Sequence, residues 1–332
     1  IHSSYLAAME DRIGNLRRAP TVVVFGSSRL QMAVYEKEFQ ARLQATTGDP
    51  GVEAFNACIP AQDFCTAEYV FDEMVKKDRA PSLLVLEITP EMVAQRNRWL
   101  GAHVLPSLKN CRFTTYLGDI LRSENVARLV RERATPVYRY RQEIQHELGL
   151  NSYTGQQSEG PNTIPAPLVA GPSSAGGNQA VFAASPSQAQ TFAPESLSDK
   201  AMSKEALERT MLGLPRFELW LKDYKVGGTA SLALERILFR CEQLGITAIL
   251  VCPPVSSYHR KVYTPSIDAA FLAYVHTLEA TKRCYFHDCR ASLPDNLFYD
   301  HHHVEWQGTM EFSRILAEEV VGSAWKTSGG TP

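Results

Sequence analysis

The sequence predicts an α/β fold, a three-layer α/β/α sandwich with a mostly parallel sheet, and three observations predict it. Short runs such as "VVVF" at Val22–Phe25 and "PSLLVLEIT" at 81–89 are apolar on both faces, as strands buried in a parallel sheet are. Between such runs stand segments with apolar residues at i, i+3, i+4 and i+7, the mark of an amphipathic helix. Strands and helices alternate, which calls for a sheet covered on both sides.

In chain order, the strand Val22–Phe25 leads after Arg29 into a helix with Phe39 and Leu43 on one face, and a second short strand is expected at 52–55. Ala67, Val70, Phe71, Met74 and Val75 share a helix face before the central strand at 81–89. The pattern then resumes with a helix face at Leu234, Ile237, Leu238 and Cys241, and with the strand "GITAILVCPP" at 245–254. A helix carrying Ile267, Phe271, Tyr274, Val275 and Leu278 comes next, then the strand "CYFHD" at Cys284–Asp288 and a last helix through Phe312, Ile315, Leu316 and Val320.

Residues 1–332 form one such domain, interrupted by an insertion at 93–228. The insertion begins with a helical part at about 93–150, whose many arginines read as solvated helix faces rather than as a surface for an anionic substrate. It continues in a loop at about 151–200, rich in Pro, Gly, Ser, Ala and Gln. A segment of that composition buries too little apolar surface to offset its ordering entropy, so a mobile loop is expected.

The 34 basic and 36 acidic side chains leave a formal charge of -2, which gives no electrostatic footprint for nucleic acid. The seven cysteines form no CxxC pair and no zinc-ligand spacing. Cys284 and Cys289 could bridge in an oxidising compartment, but two thiols are the expectation. No run reaches the about 20 apolar residues of a membrane span, and no signal peptide is visible. Because the chain starts at Ile1 rather than Met, an upstream anchor and an extracytoplasmic or membrane-associated place are expected, with a cytoplasmic one as the alternative.

Two stretches carry candidate chemistry. Gly26-Ser27-Ser28 closes the first strand, where ligands of an open α/β sheet bind. There Ser28 can serve as a nucleophile at a helix start, or the run can be a plain turn and helix N-cap. "FYDHHHVEWQG" at 298–308 precedes the last helix, and Asp300 and His303, three residues apart on a loop, suit a carboxylate that orients an imidazole base. The three adjacent histidines invite a metal reading, which is set aside because consecutive residues rarely converge on one ion. No cofactor and no metal are expected, and His259 and His287 are assigned to surface or core.

With these residues in view, the chain resembles the SGNH (GDSL-type) hydrolase superfamily. That family carries its serine in a Gly-Asp-Ser-like block after the first strand and ends in Asp-x-x-His, often with Gly five residues later. Gly26-Ser27-Ser28, Asp300-His301-His302-His303 and Gly308 correspond, over residues 20–92 and 229–322. "GSSR", "FNACIPA" and the late Asp-x-x-His are most similar to the DltD-like and alginate-acetylation-type branch. The resemblance implies a flavodoxin-like fold with Ser28 as nucleophile, His303 as base and Asp300 as its partner. It also implies an acylated carbohydrate or other small ester as substrate, and a membrane-bound acyl-transfer partner.

The chain departs from the family pattern twice. Cys58 stands where a Gly lends its N–H to the oxyanion hole, which a backbone N–H of Cys58 can still do. The third block is Thr89-Pro90-Glu91-Met92, without the Asn of the family. A donor then comes from Arg29 or Asn56, or activity is slow or absent and the protein is a degenerate scaffold. Arg29 pairing with Glu87 as pure structure is the equal alternative.

Overall fold

The computed structural model describes residues 4–95, 201–282 and 284–327. Of the insertion expected at 93–228, residues 96–200 lie outside the described residues; they hold the loop expected at about 151–200 and all but the first three residues of the helical part expected at about 93–150.

Five parallel strands form one sheet: β1 (Val22–Phe25), β2 (Ala54–Asn56), β3 (Leu83–Glu87), β4 (Thr247–Cys252) and β5 (Cys284–Asp288), in the order β2-β1-β3-β4-β5. Register pairs Val24 with Val85 and Val85 with Ile249, so the three central strands end level with one another. Every residue of β1, β3 and β4 is buried, as expected for strands covered on both faces. The predicted β2 begins two residues later than expected: the turn ends at Gly51, and Val52 and Glu53 lead into the strand, Glu53 already accepting from the Val22 N–H.

Side-chain alternation divides the core into two layers. Val23, Phe25, Leu84, Leu86, Ala248 and Leu250 point to one face. There they meet α1 (Ser4–Gly14), α4 (Phe64–Lys76), α7 (Gly228–Leu244) and α9 (Pro265–Thr281). Val22, Val24, Leu83, Val85, Ile249 and Val251 point to the other. This second face is covered by α2 (Ser28–Ala33), α3 (Glu36–Thr47) and α10 (Trp306–Ile315), which continues through a π-helical turn at Leu316–Val321 into α11 (Gly322–Thr327). The result is a three-layer α/β/α fold. Asp63 and Thr264 cap α4 and α9 by accepting from N–H groups of their first turns, the usual role of such residues.

Three further α-helices, α5 (Pro90–Val93), α6 (Lys204–Trp220) and α8 (Ser257–Arg260), and a 3-10 turn at Asp295–Leu297 complete the described elements. The sequence reading leaves α6 inside the insertion without a structural role. It instead packs Ala206, Leu214 and Phe217 against the body of the domain. Cys284 and Cys289 are both buried free thiols. Among the described residues, no helix is long and apolar enough to cross a membrane.

Candidate active site

β1 ends at Phe25, and the chain turns through Gly26 and Ser27 into α2, whose first residue is Ser28. The turn is packed too tightly for a side chain at position 26. A Cβ on Gly26 would lie 2.6 Å from Glu87 Oε2 and 2.8 Å from Leu30 Cβ. Ser27 is the N-cap of α2, and its hydroxyl accepts from the Arg29 N–H. Its own N–H and hydroxyl donate to Glu87 at 2.6 and 2.9 Å. Burial pushes the Glu87 carboxyl above the usual range, against the nearby Arg29 charge and the bonds from Ser27.

The loop after β5 brings the second part of the site to the same sheet edge. Phe298 and Val304 form an antiparallel bridge, and the Tyr299 N–H donates to the His303 carbonyl at 2.8 Å. Inside this closed loop, Asp300 Oδ1 accepts the backbone N–H groups of His302 and His303, each at 2.8 Å. Its Oδ2 lies 2.8 Å from His303 Nδ1, and His303 Nε2 lies 2.8 Å from Ser28 Oγ. With Nδ1–H donated to the carboxylate, Nε2 keeps the lone pair and accepts from the Ser28 hydroxyl. Burial raises the Asp300 carboxyl, but the His303 imidazole and the backbone N–H of His302 outweigh it, so Asp300 is held below the ordinary carboxylate range.

The remaining predicted residues have other partners. Asn56 lies at the end of β2; its Nδ2 donates to the Val34 carbonyl at 3.0 Å and its Oδ1 accepts the Cys58 N–H at 3.1 Å. Both ends of that amide are thus engaged, and so is the Cys58 N–H. The Cys58 thiol is buried and pushed up by that burial. Arg29 does not form its ion pair with Glu87, as one sequence reading had it. Its Nη2 instead meets Glu91 Oε1 at 3.1 Å, with both side chains almost fully buried. The reason is placement: Ser27 occupies Glu87, while α5 lifts Glu91 to the guanidinium.

Glu91, at the position of the altered third block, is the centre of a network that the sequence did not signal. Tyr263 donates to it at 3.0 Å, and His259 Nε2 is 3.0 Å away. Burial raises the Glu91 carboxyl, but Arg29 and His259 more than offset this and keep it ionised. His301 and His302, the neighbours of His303 in the sequence, are buried in this network beneath Phe217. Only tertiary structure unites these residues, which come from α2, α5, α6, α8, the turn after α8 and the 299–303 loop.

A protein-family model, without a stated activity, matches residues 229–324, which include β4, β5 and the Asp300–His303 loop but not Ser28. No curated protein matches the chain. Among solved structures, one from Streptococcus pneumonia described provisionally as a platelet activating factor is similar, at 11% identity and a TM-score of 0.39. That match covers 96% of this chain and 92% of the other.

Proposed function

We propose that this protein is a serine-dependent ester hydrolase or O-acyltransferase, acting through Ser28, His303 and Asp300 on an acyl ester, acetyl by preference, of a carbohydrate-like substrate. The observation that carries the reading is the unbroken chain from Ser28 Oγ to His303 to Asp300, with both links at 2.8 Å. A hydroxyl becomes a nucleophile when a base takes its proton, and the base works when a carboxylate fixes its tautomer.

In the reaction, Ser28 Oγ attacks the ester carbonyl while its proton passes to His303 Nε2. Asp300 stabilises the imidazolium that forms. The oxyanion faces the Ser28 N–H, which lies in the first turn of α2 and has no carbonyl of its own helix to bond. A second donor, the Cys58 N–H, becomes available when the Asn56 carboxamide releases it. His303 then returns the proton to the leaving alcohol, and water or an acceptor hydroxyl repeats the steps on the acyl-serine. A membrane-bound acyl donor is the partner that would turn hydrolysis into transfer.

The carbohydrate part of the proposal is supported by two exposed rings. Trp306, three residues after His303, is 59% exposed, and it meets the half-exposed Tyr35 edge-on at 5.2 Å. Flat aromatic faces of this kind suit the apolar face of a sugar ring.

A second reading, a degenerate binding or scaffold protein of a polysaccharide-modifying assembly, is favoured by the bond that already occupies the Cys58 N–H. Turnover of p-nitrophenyl acetate and of acetylated sugars separates the two. The esterase reading expects turnover that falls at least about 10³-fold in Ser28→Ala and His303→Ala. Absence of turnover in the wild type gives the scaffold reading the case.

A further inference from the structure

Beside the Ser28–His303–Asp300 chain, three further imidazoles converge, and the reading above leaves them without a task. His259 Nδ1 lies 2.6 Å from His301 Nδ1, and His302 Nδ1 lies 2.9 Å from the same atom. His302 Nδ1 is also 3.1 Å from His301 Nε2. The three rings are 0%, 3% and 8% exposed, and one nitrogen of each lies within 4.8 Å of the others. Phe217 covers them, with ring centroids 4.9, 4.8 and 5.2 Å away.

The protons of this cluster can be assigned. A ring nitrogen carries either a hydrogen or a lone pair. Glu91 is ionised beside Arg29, so His259 Nε2, at 3.0 Å from its Oε1, carries the hydrogen. The lone pair of a neutral His259 is therefore on Nδ1 and points at His301. Neutral imidazole is the form that binds metal. In the metal-free protein, one proton on His301 Nδ1 holds His259 and His301 together.

We propose that His259, His301 and His302 form a binding site for a transition-metal ion of the zinc class, and that Glu91 fixes the first ligand. Three imidazoles without a hard oxygen ligand suit Zn²⁺, Co²⁺, Ni²⁺ or Cu²⁺ and not Mg²⁺ or Ca²⁺. The Glu91–His259 contact is the carboxylate–histidine arrangement found behind metal-bound histidines, and Arg29 and Tyr263 hold the carboxylate in turn. Nitrogens about 2.0–2.1 Å from a tetrahedral ion stand roughly 3.4 Å apart. The rings must part by about half an ångström or a little more to admit one. His301 is the fixed member, because its Nε2 lies against α6 where a Cβ at Gly213 would approach to 2.5 Å. His259 and His302 therefore make the adjustment. The ion takes the place of the shared proton, which moves from Nδ1 to Nε2 of His301, so that each ligand stays neutral and no electron is exchanged.

The test uses the full chain, stripped with a chelator and titrated with Co²⁺ and then with competing Zn²⁺. One Co²⁺ per chain should bind with visible d–d bands, Zn²⁺ should displace it, and X-ray absorption of the zinc form should show imidazole nitrogens. His259→Gln and His302→Gln should each weaken Zn²⁺ binding at least about 100-fold, beyond the roughly 10–100-fold cost of losing an outer partner. Circular dichroism identifies any variant that does not fold, and either of the two suffices. His303→Ala should bind Zn²⁺ within about threefold of the wild type, given that loss of even an outer partner of a true ligand costs more. Failure of the folded wild type to bind Co²⁺ or Zn²⁺ overturns the proposal. So does binding that survives His259→Gln and disappears in His303→Ala, which would put the ion on Asp300, His302 and His303. Neither result depends on esterase turnover, so this proposal and the catalytic one fail separately.

Discussion

Ser27 and Glu87 are joined twice across the sheet edge, by a backbone N–H at 2.6 Å and a hydroxyl at 2.9 Å. The bonds tie the turn before Ser28 to the last residue of β3. Glu87→Ala removes the acceptor of two buried donors, each of which costs about 1–3 kcal/mol when left unmade. Unfolding in urea should show a loss on the order of 3 kcal/mol. A loss below about 1 kcal/mol, at the lower end for a single unmade donor, would show that the turn is held by something else.

Asp300→Asn tests the division of labour within one carboxylate. The amide oxygen of Asn can still accept the His302 and His303 N–H groups, so the loop should keep its shape and the melting temperature should change little. Its NH₂ would then face His303 Nδ1 and force the hydrogen onto Nε2, the wrong tautomer for a base. Turnover of p-nitrophenyl acetate should fall about 10³–10⁴-fold. Unchanged turnover would remove Asp300 from the mechanism.

Trp306→Ala should separate the sugar from the ester. The ring is exposed and has no bond to Ser28, His303 or Asp300, so kcat on p-nitrophenyl acetate should stay within about twofold, as for a change that removes only uniform binding. On an acetylated oligosaccharide, KM should rise several-fold. Equal kinetics on both substrates would take Trp306 out of substrate binding.

Five buried thiols predict alkaline lability. Burial pushes Cys241, Cys284 and Cys289 up to about 12, and Cys58 and Cys252 well above the ordinary value of 9.0. The unfolded chain loses these protons from about pH 9. Between that value and the folded one the folded state binds more protons, so the stabilisation is complete below pH 9 and falls as pH rises. The loss is on the order of 1 kcal/mol per thiol per pH unit, less for the more solvent-screened Cys284. Urea midpoints at pH 8, 9.5 and 10.5 should fall progressively, and Ellman's reagent at pH 8 should reach these thiols only on unfolding. A flat midpoint would contradict the burial.

Much of the fold is legible in the sequence because its signals are local. "VVVF" and "LLVLE" are strands since nothing in them can face water, and Leu234, Ile237, Leu238 and Cys241 show their shared face by spacing alone. The candidate site is marked in the same way at Ser28, by a strand that runs into Gly-Ser-Ser, and at Asp300 and His303, by their separation. α6 is hidden because Met211 and Leu212 are exposed while Gly213 and Pro215 interrupt its pattern. The Arg29–Glu91 pair and the meeting of His259 with His301 are hidden for another reason. Each depends on how α5, α8 and the 299–303 loop reach one edge of the sheet, which no spacing along the chain records.

Covalent labelling by a fluorophosphonate, located by peptide mass spectrometry, reads directly whether Ser28 is an activated nucleophile. One label is expected, on the peptide that carries Ser28, absent in Ser28→Ala and at least about 10³-fold slower to form in His303→Ala. Folded wild-type protein that takes up no label, or takes it up elsewhere at the same rate in Ser28→Ala, would show that Ser28 is not the nucleophile.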